Sequence, residues 1–102
     1  MTTIFIKSSY EIIRVDLNNI EYIESMENYI RIHFTNGQPV MSLMPLKSIL
    51  EKLPPERFMR IHRRFIVSID KVKKIGTKKI KLNNTELPGG SYLKELKKLI
   101  AV

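Results

Sequence analysis

Short runs of β-branched and aromatic residues, each followed by a turn signal, recur along the whole chain and restrict it to folds built from many short strands. Ser8-Ser9 marks a turn between the runs at 4–8 and 11–15, and Gly76-Thr77 separates two lysine-rich runs in the same way. The segment at 35–38 contains Asn-Gly, the strongest short hairpin signal. This alternation of short strand-like runs and turn signals predicts a mainly β domain.

Alternation within the runs predicts which side chains share a face of a sheet. IEYIES, residues 20–25, places Ile20 and Tyr22 on one face and Ile23 on the other. NYIRIHF, residues 28–34, alternates more clearly, with the isoleucines and Phe34 on one face. A side-chain period of two is the signature of a strand with one buried face.

Two stretches show helical spacing instead. One apolar stripe consists of Leu43, Leu46, Leu50 and Leu53, so we expect a short helix over about residues 43–53 that covers a sheet. A second short helix is predicted over residues 91–100, with a packed face made of Leu93, Leu96, Leu99 and Ile100. With 102 residues, 43% of them hydrophobic, the chain can bury one core, and we expect a single domain over residues 1–102.

Positive charge is concentrated in one segment of the chain. The net charge is +8, and ten Lys and Arg lie between Pro55 and Lys81 against only two acidic residues, Glu56 and Asp70. The segments on either side are nearly neutral. Such asymmetry suggests a polyanionic partner.

The composition argues against several other classes of protein. The chain has no cysteine, no phosphate-cradling glycine motif, no clustered carboxylate pair and no Ser-His-Asp arrangement, so we do not expect an enzyme. His33 and His62 lack the spacing of a metal site, and we expect neither a metal nor a cofactor. No apolar run approaches the roughly 18 residues of a membrane helix. The absence of cysteine fits a reducing cytoplasm.

The segment FMRIHRRFIVSI, residues 58–69, sets four ionisable side chains in an otherwise apolar run. Alternation places Arg60 and His62 on one face and breaks at Arg63-Arg64. Burying unpaired charges is costly, so two adjacent arginines at such a break belong in a turn rather than in a core. The segment is therefore predicted to be two strands joined by a cationic turn.

The order of four segments resembles the LytTR family of bacterial DNA-binding domains. The segments are IEYIESMENYIRIHF, SLMPLKSILEKLP, FMRIHRRFIVSIDKVKKI and LPGGSYLKEL, and the resemblance runs from about Ile4 to Ile100. It implies a compact stack of small antiparallel sheets whose edge loops enter successive major grooves of double-stranded DNA. It also implies transcription regulation in the bacterial cytoplasm, usually as the output domain of a two-component response regulator in a phosphorelay.

The resemblance also implies site residues. A base-contacting loop matches at Arg63 and another DNA-contacting loop at Asn28, and arginine can donate two hydrogen bonds to guanine O6 and N7. The candidates for contacts to the DNA backbone are Arg31, Arg60, His62, Arg64, Lys73, Lys74, Lys78, Lys79, Gly90 and Ser91. Gly90 stands where many members carry a basic or polar side chain. The loop at 88–92 is therefore expected to contact phosphates only through backbone N–H groups.

Each candidate also has a purely structural interpretation. Arg63 could be a solvated cation, His62 could brace the turn by bonding a backbone carbonyl, and Asn28 could supply a left-handed turn conformation. Lysines on exposed strands also discourage edge-to-edge aggregation. For the chain as a whole, the alternatives are a small basic RNA-binding or ribosome-associated β protein and a module that binds an acidic protein or anionic membrane.

The expected partner is double-stranded DNA that carries short direct repeats, with a homodimer on DNA as a further expectation and no membrane contact. The chain begins at the first strand of the predicted domain and carries no receiver domain. It is therefore expected to be either an excised domain or a stand-alone regulator.

Overall fold

Three small antiparallel sheets and two α-helices make up the fold, which confirms the predicted mainly β architecture. The computed structural model describes residues 2–100. The elements are β1 (Thr3–Ser8), β2 (Glu11–Asp16), β3 (Ile20–Met26), β4 (Tyr29–Phe34), β5 (Val40–Ser42), α1 (Leu46–Lys52), β6 (Phe58–His62), β7 (Phe65–Ser68), β8 (Lys74–Ile75), β9 (Lys79–Lys81), β10 (Glu86–Pro88) and α2 (Tyr92–Ile100). Single 3₁₀ turns, Leu17–Asn19 and Ile69–Lys71, follow β2 and β7.

A five-stranded sheet with the order β5-β4-β3-β7-β6 forms the centre of the molecule. The hairpin β1–β2 is a separate two-stranded sheet, and β10-β9-β8 is the third. The predicted hairpins are present, with Gly37 at φ 99 in the Asn-Gly turn between β4 and β5. Only glycine adopts such a conformation without strain, which explains the strength of that signal.

The central sheet contributes to a hydrophobic core on each of its faces. Ile66 and Val67 are neighbours on β7, so their side chains point to opposite faces. Ile66 belongs to a core shared with the β1–β2 hairpin and α1, whereas Val67 belongs to a core shared with β9, β10 and α2. The second core also holds Leu93 and Leu96 of α2. Both faces of the central sheet are therefore covered by a core.

The first helix is shorter than the leucine spacing predicted. It begins at Leu46 rather than near Leu43, because Ser42 is the last residue of β5 and its buried hydroxyl donates to the Lys7 carbonyl oxygen at 2.6 Å. Leu43 is 80% exposed and lies outside the helix. The buried face is instead centred on Ile49, which is fully buried, while Leu50 is half-buried.

The second helix matches its predicted position, but its apolar face is only half covered. Leu93 and Leu96 are buried, whereas Leu99 and Ile100 are 52% and 39% exposed. The helix extends past the second core at its last turn, so the prediction that all four side chains pack was wrong.

Two β-bulges changed the faces predicted from alternation. A register shift between Ile20 and Tyr22 puts Ile20 and Ile23 into the same core and turns Tyr22 to the other face. The prediction that Ile20 and Tyr22 share a face was therefore wrong. A second shift lies between Arg60 and His62, which oppose Ile66 and Phe65 respectively. Because these two partners are neighbours on β7, Arg60 and His62 point to opposite faces rather than sharing one.

Candidate nucleic-acid interface

Two of the predicted DNA-contacting loops lie at the same end of the central sheet. The β3–β4 turn at Glu27-Asn28 and the β6–β7 turn at Arg63-Arg64 are neighbours because β3 pairs with β7. The Ser25 backbone N–H donates to the Arg64 carbonyl oxygen at 2.8 Å. Adjacent strands are about 5 Å apart, which puts the centres of the two turns roughly 10 Å apart. We call this end of the sheet, defined by residues 27–28 and 63–64, the turn end.

The side chains of Arg60 and His62 hold the cationic turn in place. The Arg60 guanidinium donates from Nε to the His62 carbonyl oxygen at 3.3 Å and from Nη2 to the Arg63 carbonyl oxygen. His62 Nδ1 accepts a hydrogen bond from the Arg64 backbone N–H at 3.1 Å. The structural interpretation of His62 expected a bond to a carbonyl, but the ring is an acceptor instead. In a neutral ring the accepting Nδ1 carries no proton, so Nε2–H remains as a donor.

A small polar network lies beside the turn on β3 and β4. Glu24 Oε2 is 3.9 Å from Arg64 Nη2, and Glu24 Oε1 is 3.0 Å from His33 Nε2. The His33 ring stacks on Tyr22 with centroids 4.2 Å apart. Burial, followed by the charges of Glu24 and Glu21, raises the pKa of Tyr22 above its ordinary value. Arg64 is therefore tethered by a carboxylate.

The side chains of Arg63 and Asn28 have no partner within the described part of the chain, in contrast to those of Arg60, His62 and Arg64. Both are exposed, and within residues 2–100 neither side chain makes a hydrogen bond or an ion pair. The left-handed residue of the β3–β4 turn is Glu27, with φ 52, so the interpretation that Asn28 supplies this conformation was wrong. Arg31, three residues beyond Asn28, lies half-buried opposite Glu24.

The lysines of the third sheet form a second cationic surface, which we call the lysine sheet and define by Lys73, Lys74, Lys78, Lys79 and Lys81. All five are exposed, and Lys74 lies directly opposite Lys81 across β8 and β9. Like charges in that position destabilise a sheet. Lys79 is partly compensated, because its Nζ lies 3.5 Å from Glu86.

Two cations of the basic segment do not belong to either surface. Arg57 Nη2 donates to the Asn18 side-chain oxygen at 2.5 Å, and Arg57 Nε lies 3.8 Å from Asp70. Lys71 Nζ donates to the Asn18 carbonyl oxygen at 2.8 Å. Arg57 precedes β6, at the end of the strand remote from Arg63, so the segment 55–81 does not form one continuous patch.

The third predicted loop joins β10 to α2 next to the lysine sheet. The Gly89 N–H donates to the Lys78 carbonyl oxygen at 2.9 Å, and the Leu93 N–H donates to the Gly90 carbonyl oxygen at 3.0 Å. A Cβ on Gly89 would lie 2.6 Å from the buried Leu93 side chain. A Cβ on Gly90 would meet nothing within 4 Å. Gly89 is thus required for packing, whereas Gly90 and Ser91 are exposed.

Sequence reasoning identified the two turns and a bracing role for His62, but it missed the roles of Glu24 and Arg60. Glu24 and the Arg60 brace depend on contacts across strands and on a bulge, neither of which periodicity reveals.

Within residues 2–100, no group of three or more His, Asp or Glu could hold a metal ion. In the same part of the chain, no helix has the length and apolarity needed to cross a membrane.

Comparison with known proteins relates this chain to bacterial regulators. It is 32% identical over 73 residues to the transcriptional regulatory protein YpdB of Escherichia coli (strain K12), covering 72% of this chain and 30% of YpdB. It is 33% identical over 61 residues to the sensory transduction protein LytT of Oceanobacillus iheyensis, covering 60% of this chain and 25% of LytT. The chain therefore spans less than a third of the length of these relatives.

A solved structure and a family model cover nearly the whole chain. The structure of a LytTr DNA-binding domain from Bacillus cereus superposes with a TM-score of 0.82 over 100% of this chain and 99% of the other, at 21% identity, which shows a common fold. The model of the LytTr DNA-binding domain matches residues 10–101. Because this match includes both turns and the lysine sheet, the protein belongs to the LytTr family of DNA-binding domains.

Proposed function

We propose that this domain recognises a specific sequence of double-stranded DNA through the turn end of its central sheet, with Arg63 and Asn28 as the residues that contact bases. The observation that carries the proposal is the division of roles in the cationic turn. Arg60 and His62 hold the backbone, and Arg63 is left exposed with no partner in residues 2–100. A solvated cation would not need such bracing.

Arg63 has the chemistry that a guanine contact requires. Its planar guanidinium can donate two parallel hydrogen bonds to O6 and N7 in the major groove. The two hydrogen bonds from Arg60 to the turn fix the backbone from which Arg63 projects. A residue held in its bound geometry loses less conformational entropy on binding, which supports specific readout.

Asn28 is the second candidate, because its amide can pair with adenine N6 and N7. Its side chain is exposed and uncommitted within residues 2–100, and Glu27, not Asn28, provides the unusual backbone conformation. Arg31 lies on β4, which follows this turn, and would contact a phosphate. The carboxylate of Glu27 would be repelled by DNA and would point away from it.

The remaining candidates would contact the DNA backbone and position the duplex. Arg64 and the free Nε2–H of His62 lie at the turn end, and Arg60 retains guanidinium hydrogens beyond those used in the brace. The loop and the lysine sheet would supply the other phosphate contacts, from Lys73, Lys74, Lys78, Lys79, Gly90 and Ser91. These contacts would provide affinity without sequence information.

We further propose that the domain is the DNA-binding part of a transcription regulator of the two-component type. The names of the two relatives, a transcriptional regulatory protein and a sensory transduction protein, support this role. Cytoplasmic location, short direct repeats in the target and a homodimer on DNA belong to the same proposal. Selection of preferred duplexes from a random pool tests it: a pair of direct repeats would support it, and no enrichment would contradict specific recognition.

Substitution of Arg63 tests the base contact. Arg63→Ala should weaken binding to the preferred duplex by about 1 to 3 kcal/mol and affect an unrelated duplex much less. Arg63→Lys keeps the charge but loses the planar fork, so it should restore affinity only in part. Arg14→Ala removes another exposed arginine on the β1–β2 hairpin and serves as the matched control. Titration of both duplexes at one salt concentration measures the effect.

Two results would contradict these assignments. Equal losses on both duplexes would make Arg63 a phosphate contact rather than a base contact. The RNA-binding alternative is tested in the same assay, by competition of labelled duplex DNA with unlabelled RNA and heparin. If RNA displaced the preferred duplex at lower concentrations than the duplex itself, the DNA proposal would fail.

A further inference from the structure

The tip of the β1–β2 hairpin also lies at the turn end. The end of β1 is joined to the end of β5 by the hydrogen bond from the Ser42 hydroxyl to the Lys7 carbonyl oxygen. One surface cavity is lined by Ser9, Tyr29, Met41, Ser42 and Leu43. Tyr29 directly follows Asn28, so the hairpin tip lies next to the β3–β4 turn. This part of the surface lies outside the two turns and the lysine sheet.

The hairpin tip and the adjacent end of β5 carry exposed apolar side chains. Tyr10 is 103% exposed, Leu43 is 80% exposed and Met41 is 46% exposed. Isolated apolar residues on a surface are ordinary, but here Leu43 and Met41 line the same cavity as Tyr29. Tyr10 contributes nothing to either core. Folding therefore does not account for an apolar group at this position.

The strand order gives the approximate place of these residues along the turn end. Leu43 follows β5, and the sheet continues from β5 through β4, β3, β7 and β6. At about 5 Å per strand, Leu43 is roughly 7 Å from the β3–β4 turn and roughly 17 Å from the β6–β7 turn. With about 3.4 Å between successive base pairs, the first distance is about two base pairs.

We propose that Tyr10 and Leu43 form an apolar contact with duplex DNA, about two base pairs outside the pair contacted by Asn28. This inference rests on the proposed function and extends its footprint. The contact is continuous with the β3–β4 turn, and the exposed cation Lys7 lies beside it, which favours a polyanion over other partners. In the major groove the apolar group available is the thymine methyl, so an A·T or T·A pair would be preferred there.

The test compares two double variants on the preferred duplex. Tyr10→Ala with Leu43→Ala removes the proposed contact. Phe5→Ala with Leu99→Ala is the matched control, since it also removes one exposed aromatic residue and one exposed leucine, 56% and 52% exposed, away from the turn end. The first pair should weaken binding about tenfold and the control should not. Thermal unfolding of both verifies that the loss is not one of folding.

Two further measurements identify the nature of the contact. The slope of log affinity against log salt should stay the same in the first variant, because an apolar contact releases no counterions. The duplex can be shortened from either end. The difference in affinity between the wild-type domain and the Tyr10 and Leu43 variant should disappear when one end is shortened and should remain when the other is. Replacing the flanking thymine by uracil should reproduce part of the loss, because uracil lacks the methyl group.

Several outcomes would overturn the inference. Equal affinity of the two double variants would show that the tip does not touch DNA. A loss confined to the binding of a second copy on a two-site duplex, with single-site affinity unchanged, would make the tip a contact between copies. If the wild-type domain binds one duplex specifically and Arg63→Ala abolishes that specificity, the proposed function holds even when the Tyr10 and Leu43 variant binds normally. If the wild-type domain prefers no duplex, the proposed function itself has failed.

Discussion

Gly89 and Gly90 are adjacent, but their surroundings predict opposite effects of substitution. A Cβ on Gly89 would come within 2.6 Å of two Leu93 side-chain carbons, against 3.4–4 Å for an ordinary contact, so Leu93 would have to move by about 1 Å. Leu93 is only 2% exposed and belongs to the second core. Overpacking of this kind typically costs about 1 to 3 kcal/mol. Gly89→Ala should therefore lower the unfolding midpoint by roughly 5 to 20 °C.

Gly90→Ala is the control in the same loop. A Cβ there meets nothing within 4 Å, and Gly37 is the only glycine in residues 2–100 with a positive φ. Reduced freedom of the unfolded chain should therefore stabilise the variant by about 0.4 to 1 kcal/mol. Thermal unfolding followed by circular dichroism measures both variants. Equal midpoints, or a larger loss for Gly90→Ala, would refute the packing argument.

A second substitution at the same position, Gly90→Arg, tests whether this loop contacts DNA. The open space at Gly90 accommodates a long side chain beside the lysine sheet, and one more neutralised phosphate should steepen the salt slope by about 0.9. Affinity for all duplexes should rise, and a new base preference would mean that the side chain enters a groove. An unchanged slope in a folded variant would place this loop away from the DNA.

Three other perturbations have clear expected outcomes. Changing Lys78 and Lys79 together to Ala should reduce the slope of log affinity against log salt concentration by about 1 to 2 units, with little effect on unfolding. An unchanged slope would show that the lysine sheet does not contact DNA. Ile49→Ala should cost about 2 to 5 kcal/mol in urea unfolding and Leu50→Ala less, because only Ile49 is fully buried; the reverse order would contradict the packing of α1. Because burial raises the pKa of Tyr22, its contribution to stability should be complete below its usual value of 10.0 and be lost as pH rises through the higher value; unfolding measured at increasing pH above 10.0 should show a decline that Tyr22→Phe reduces.

Local signals in the sequence were sufficient for the turns and for the fold class. The Asn-Gly pair and the adjacent arginines define turns through backbone preference and charge, both of which are properties of a few neighbouring residues. The faces of β3 and β6 could not be predicted, because a β-bulge inserts one residue and inverts the alternation after it. The shifts at Ile20/Tyr22 and at Arg60/His62 depend on pairing with β4 and β7.

Charge density along the sequence overstated the size of the cationic surface for a similar reason. Arg57 and Lys71 are close to Arg63 and Lys73 in sequence, yet both bond to Asn18, 39 and 53 residues away. Such contacts exist only after the chain has folded. Of the candidate site residues, Arg63 and Asn28 are exposed and have no side-chain partner in residues 2–100, and their contacts to DNA stay a prediction.

The proposed role of Arg63 would account for the other ionisable side chains around the turn at residues 63–64. A single arginine on an unsupported hairpin turn would sample many conformations, and fixing it on binding would cost entropy. Arg60 donates two hydrogen bonds to carbonyl oxygens of the turn, and His62 accepts one from the Arg64 N–H. Glu24 forms an ion pair with the Arg64 side chain. The hydrogen bonds of Arg60 and His62 restrict the backbone around Arg63, and none of these contacts occupies the Arg63 guanidinium. Arg63 is thereby left as the arginine of this turn without a side-chain partner in residues 2–100, and on its proposed role loss of the Arg60 brace should weaken discrimination between duplexes even though Arg63 itself is unchanged.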